Sequence, residues 1–296
     1  MPSFTIPSRL IRWSIIILLA PQLLCGCPRP DTGPHALALG LDMSCSGDQA
    51  SGACAGDGLE LRQRRCAEAV HMAQKTYNEH PGQPLDIMLI QTGTVQTKGN
   101  PITLLTWHDV GGEPPDHEME AQESARMAAA FAQLSTQCVA QSRVSDTSPV
   151  WNVYAALVNS LQAKCVSPDG AVQCKTRGIF LASDLLETFD PGIKQHLFGR
   201  SHGEAELALP AAIVPSAGTA VQFCGVTETT DAPRAKVEAA AKPTRKGKAP
   251  QPKQAETISA PAVWRPLVAP NAVFDPVCNR AAPASSTKMA QVGSPE

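Results

Sequence analysis

The stretch that most constrains the fold is residues 36–46, Ala-Leu-Ala-Leu-Gly-Leu-Asp-Met-Ser-Cys-Ser, an apolar run that ends abruptly in an acid and two hydroxyls at alternate positions. A run this short and apolar on both faces reads as a buried strand of a parallel sheet. The carboxyl end of such a strand lies at the rim of the sheet, where open α/β folds bind their ligands. Asp42, Ser44 and Ser46 are hard oxygen donors of the kind that Mg²⁺ takes. Taken alone, a D-x-S-x-S string reads equally as a loop-capping acid followed by turn residues. The remaining chain decides between the two by supplying further oxygen donors or not.

The apolar pattern continues in the manner of an α/β sheet. Cys66, Val70, Ala73 and Tyr77 follow one another at helical steps. Two strands, 85–91 and 102–107, are separated by a connection short enough for an antiparallel hairpin. A helix is predicted over about 118–140, with Ala128, Phe131, Leu134 and Cys138 on one face. Ser145-Asp146-Thr147-Ser148-Pro149 opens the next helix, in which Val150, Val153, Tyr154, Leu157, Val158 and Leu161 form one stripe and Pro149 is the expected starter. A fourth strand over 178–183 also ends in an acid, Asp184, and is followed by a stretch with no legible element. Strands over 220–226 and 272–278, with a short helix around 262–268 between them, bring the total to six. The intervening residues, about 227–255, are rich in Pro, Ala and Lys and read as a disordered insertion; 279–296 read as a flexible tail.

The amino terminus reads as an export signal. Arg9 and Arg12 precede an apolar run over 13–24 that is too short to cross a bilayer as a stop-transfer helix. It ends in Leu24-Cys25-Gly26-Cys27, which resembles the lipobox of bacterial lipoproteins and implies that Cys27 is acylated. An ordinary secretory signal cleaved nearby is the alternative. On the lipobox reading, 1–26 are the signal peptide, 27–35 a Pro-rich tether and 36–278 the folded domain, anchored to a membrane rather than spanning it. Pro28 stands where some bacterial lipoproteins carry an inner-membrane retention Asp, so the expectation is a cell-envelope protein on the outer membrane or periplasmic face.

Removing Arg9 and Arg12 leaves 23 basic against 27 acidic residues, a net charge of −4, which gives nucleic acid no foothold. Eight cysteines remain in the mature chain: Cys45, Cys54, Cys66, Cys138, Cys165, Cys174, Cys224 and Cys278. An even number without a C-x-x-C pair favours disulfides over a zinc or thioredoxin-type site. Cys165 and Cys174 bracket a loop containing Pro168-Asp169-Gly170 and are the expected local pair. Cys224 and Cys278 pair if the fifth and sixth strands lie side by side; the connectivity of the other four stays open.

The order strand–acid–hydroxyls, helix, hairpin, helix, hydroxyl-led helix, strand–acid resembles the von Willebrand factor type A (vWA) domain. That resemblance implies an α/β, Rossmann-like doubly wound sheet, mostly parallel and six-stranded with one antiparallel edge strand. It also implies a metal-ion-dependent adhesion site (MIDAS). Asp42, Ser44 and Ser46 match its first motif. Thr147, leading the later helix, is the next implied ligand, and Asp184 at the end of the fourth strand the last. The implied metal is Mg²⁺, or Mn²⁺ or Ca²⁺, with an open position taken by an acidic residue of a partner protein. Thr147 and Asp146 read as well as a plain helix N-cap.

Three features depart from the family pattern. Asp184 is followed by Leu185 where the family usually has Gly, Cys45 sits between the two serines, and a Gly/Ser/Ala-rich insertion over 47–58 delays the first helix. The resemblance implies binding rather than catalysis. Position 44 is Ser where a phosphoryl-transferring D-x-D site needs a second acid. His108-Asp109 reads as a strand-end polar pair, and the basic residues between 234 and 253 as a solvated linker. The rival from another class is a metal-free structural or assembly subunit of an envelope or secretion complex.

Overall fold

The computed structural model describes residues 33–45, 57–110, 120–200, 203–226 and 259–278. In chain order these form β1 (His35–Leu41), α1 (Leu59–Glu79), β2 (Leu85–Gln91), β3 (Ile102–Val110), α2 (Glu120–Gln141), α3 (Val150–Cys165), β4 (Thr176–Ala182), α4 (Pro191–Phe198), β5 (Thr219–Cys224), α5 (Ala260–Trp264) and β6 (Val273–Asp275). The six strands make one sheet of order β3-β2-β1-β4-β5-β6. β1 pairs in parallel with β2 and β4, β4 with β5, and β5 with β6. Only the edge strand β3, joined to β2 by a short loop, runs antiparallel. The sheet is therefore the doubly wound, mostly parallel one that the sequence predicts, with its order reversing between β1 and β4.

β1 lies at the centre, and all seven of its residues are buried. Alternate side chains enter opposite cores. Ala36 and Ala38 share a core with Val153, Tyr154 and Leu157 of α3 and with Trp264 of α5. Leu37, Leu39 and Leu41 share a core with Cys66, Ala69 and Ala73 of α1 and with Phe131 and Leu134 of α2. At Gly40 the first of these layers presses closest. A Cβ there would lie 2.5 Å from Leu181 Cδ1 and 2.7 Å from Leu157 Cδ1, so a side chain would force those leucines to move aside.

α4 falls in the stretch without a legible element, yet its start is encoded. Asp190 Oδ1 accepts from Ile193 N at 2.9 Å and Pro191 occupies the first turn, the pairing of acidic N-cap and N1 proline. Cys66–Cys138 joins α1 to α2, Cys165–Cys174 closes the loop after α3, and Cys224–Cys278 ties the end of β5 to the chain just past β6. Cys45 is also disulfide-bonded. Cys138 takes Cys66, so the partner of Cys45 lies outside the described residues. Ser46, Cys54, Cys27, the signal and residues 27–32 of the tether, the 227–255 insertion and the 279–296 tail lie outside them too. Among the described residues no helix is long and apolar enough to cross a membrane.

Candidate functional site

Because β1, β2 and β4 are parallel neighbours, the segments that follow them emerge at one rim of the sheet, where the segment leading into α3 also arrives. Asp42 sits at this rim and is 1% exposed. Its Oδ1 accepts from Ser44 N at 3.0 Å. Its Oδ2 accepts from Ser148 Oγ at 2.9 Å and from Ser183 Oγ at 2.8 Å. One carboxylate thereby fastens the end of β1 to the loop before α3 and to the end of β4. The backbone reinforces this junction: Ser145 N donates to Met43 O at 2.8 Å, and Met43 N donates to Thr92 Oγ1 at 3.0 Å.

From the segment before α3, the hydroxyl that donates to Asp42 is that of Ser148, while Thr147, the residue expected at the site, lines the same hollow. Thr147 Oγ1 instead donates to Gly93 O at 3.4 Å. α3 begins at Val150, with Pro149 as its N-cap. The residue before a proline is held in extended backbone, so the helical register does not continue through Ser148. The Ser-Pro pair was the available signal. Ser183, the residue before Asp184, was likewise missed. Asp184 is buried, and its Oδ1 accepts from Leu186 N at 2.9 Å, bracing its own turn. His108 and Asp109 pair across to Ile87 and Asp86 at the amino end of β2, the rim opposite Asp42.

Above Asp42 opens a hollow of about 450 Å³, whose lining includes Ser44, Cys45, Thr147, Ser148 and Thr188. Thr188 Oγ1 accepts from Ser148 N at 2.8 Å, and Thr188 N donates to Ser148 O at 3.1 Å, so the β4–α4 segment fixes the position of Ser148. One residue earlier, Glu187 is fully buried. It accepts from Trp151 N at 2.7 Å, from Phe189 N at 2.6 Å and from Asp190 N at 3.1 Å. It thereby serves the start of α3, whose own N-cap makes no side-chain bond. Burial outweighs these donors and pushes the Glu187 carboxyl up to about 7.

The donor set suits a small hard cation. Ser148 donates its hydroxyl hydrogen bond to Asp42 and so keeps its lone pairs free to accept, and Ser44 lines the same hollow. Neutral hydroxyl donors backed by one carboxylate are ligands that Mg²⁺ accepts alongside water.

No protein-family model matches the chain, and no curated protein sequence does. Among solved structures, the open conformation of the pilus adhesin SpaC from Lactobacillus rhamnosus GG aligns at a TM-score of 0.30 and 16% identity, covering 53% of this chain and 15% of the adhesin. An aerotolerance-related membrane protein from Bacteroides fragilis NCTC 9343, bearing multiple mutations to serines, aligns at 0.33 and 13% identity over 81% of this chain and 90% of its own. The chain thus spans only a small part of the adhesin, and both scores are too low to bear on function.

Proposed function

We propose that this protein is an extracytoplasmic, envelope-associated binding protein of vWA type that engages a partner protein through a divalent cation held above Asp42. In this reading Ser44, Ser46 and Ser148 are the hydroxyl ligands. Asp42 orients them, Asp184 braces the rim, and an acidic residue of the partner completes the ion's shell. The carrying observation is the convergence of Ser148 and Ser183 on Asp42 Oδ2, with Ser44 and Ser148 lining one hollow. The disulfides support an oxidising compartment. Anchoring through Cys27 is part of the proposal, and Cys27→Ser is expected to move the protein from the membrane to the soluble fraction. The role is binding rather than catalysis.

Thermal unfolding of the mature chain in Mg²⁺ or Mn²⁺ tests the site. A ligand at a hundred times its Kd stabilises by about 2.7 kcal/mol. Such a rise is expected for the wild type and is expected to vanish in Ser148→Ala and Ser44→Ala, which leave Asp42 in place. A wild-type melting temperature indifferent to millimolar cation would sink the metal-dependent version. It would favour a metal-free assembly subunit, a reading supported by the three hydrogen bonds that Asp42 already accepts within the chain.

A further inference from the structure

Of the three disulfides with both cysteines described, two are sealed: Cys66, Cys138, Cys165 and Cys174 are all buried. The third differs. Cys224 is buried, whereas Cys278 is only partly covered. Their two sulfurs and a carboxylate oxygen of Glu68 all lie within 4.8 Å of one another, and no other disulfide among the described residues has an acid or a histidine so placed. Glu68 comes from α1, is 7% exposed, and accepts from Arg65 Nη1 at 3.0 Å through Oε2. Gly225 leaves room for this meeting. A Cβ there would lie 3.0 Å from Arg65 Nη1 and 3.4 Å from Cys278 Sγ, so the guanidinium and the sulfur flank one point. A carboxylate that merely packed against a disulfide would be better replaced by an apolar side chain, because a buried ion pair seldom repays the lost water. Within one bridging water of both sulfurs, it can instead move a proton.

We propose that Cys224 and Cys278 form a thiol–disulfide exchange site, in which Cys278 reacts with a small external disulfide, Cys224 is the resolving thiol and Glu68 takes its proton. In the reduced pair, the thiolate of Cys278 attacks the external disulfide, forming a mixed disulfide and releasing one thiolate. Cys224 then gives its proton to the Glu68 carboxylate and attacks Cys278 Sγ. The Cys224–Cys278 bond forms, the mixed disulfide breaks and the second thiolate leaves. Two protein thiols are thus oxidised, the external disulfide is reduced to two thiols, and the two protons pass to those thiols. The reverse sequence opens the bond. Arg65 is a positioning residue that holds Glu68 where the proton is passed. The inference does not rest on the cation reading of the Asp42 rim, although the two sites are neighbours: Ser183, whose hydroxyl holds Asp42, donates its N–H to Cys224 O at 2.9 Å.

The test uses the full mature chain in chelator, which keeps its outcome separate from that of the cation site, with reduced and oxidised glutathione as probes. Samples are quenched in acid, alkylated and mapped by mass spectrometry. In reduced glutathione the folded protein is expected to open Cys224–Cys278 while Cys66–Cys138 and Cys165–Cys174 stay closed, with glutathione found on Cys278. Moved to oxidised glutathione, the opened wild type is expected to re-form the bond with little adduct left. Glu68→Gln is expected to take glutathione onto Cys278 at the wild-type rate and then to retain it, the resolving step being about a hundredfold slower, the low end of what a positioned base contributes. Should Glu68→Gln not fold, Arg65→Met/Glu68→Met carries the same comparison without stranding a charge. A purely structural pair gives the opposite sign. Its loss would loosen the fold and speed opening, and the adduct would resolve at the wild-type rate, which overturns the proposal. Three disulfides that open together, or glutathione found on Cys224 in place of Cys278, overturn it equally.

Discussion

Leu185 has a φ of 61° and no exposed surface, a bulky residue in backbone that L side chains rarely adopt. That conformation costs about 1–2 kcal/mol. Three bonds impose it: Leu185 N donates to Ser183 Oγ at 2.9 Å, and Leu185 O accepts from Trp264 Nε1 and from Glu187 N, each at 3.0 Å. The leucine that departs from the vWA pattern thus keeps the backbone shape that glycine would take there, and its buried side chain offsets the strain. Leu185→Ala loses the side chain and keeps the strain, with an expected cost of about 2–5 kcal/mol. Leu185→Gly loses both, so urea denaturation should rank Gly above Ala, the inverse of their order in ordinary helices and strands. At this scale the sequence was readable where contacts are local. Asp42 and Ser44 are two residues apart and joined by a hydrogen bond, and their pattern announced them. Ser148 and Ser183 meet Asp42 across 106 and 141 residues; the local pattern offered only the Ser-Pro pair for Ser148 and nothing for Ser183.

Among the elements, α3 depends on a residue outside itself. Its first turn donates to Glu187, whose carboxyl is raised from 4.5 to about 7 by burial. The unfolded chain releases that proton near pH 4.5 and the folded chain near 7. The stability linked to Glu187 is therefore intact below pH 4.5 and lost as pH rises through 7, by about 3 kcal/mol. The urea midpoint should fall between pH 5 and pH 8, and Glu187→Gln should flatten that slope whatever it does to absolute stability; an unchanged slope would assign it elsewhere. The disulfides rank by the chain they close. Cys66–Cys138 spans 72 residues and Cys165–Cys174 spans 9, for which chain entropy gives about 4 and about 2.5 kcal/mol. Paired Cys→Ala replacements should lower stability in that order on denaturant titration. The Cys165–Cys174 pair was legible because a turn sequence lies between its cysteines. Cys66–Cys138 was not, because it requires α1 and α2 to lie side by side.

Over the whole molecule, sheet order rather than any single strand creates the site. The order reverses between β1 and β4, and the crevice left by that reversal is where Asp42, Ser148 and Ser183 meet. This architecture was legible because strands buried on both faces are written as unbroken apolar runs and their helices as stripes at helical spacing. The weak spot was 184–218, where the described residues hold only the short helix α4 among residues without regular structure and leave little periodicity to read. The last described segment, 259–278, returns to the core through Trp264, whose ring packs 5.9 Å from Trp151 and 6.2 Å from Phe223 between centroids. Trp264 also donates its indole N–H to the carbonyl of Leu185, one residue past Asp184, and Trp151 donates its backbone N–H to Glu187. The protein therefore contains its own optical gauge. Emission from these buried indoles is tied to the hydrogen bonds that hold the rim, so stopped-flow fluorescence can time events there without a label.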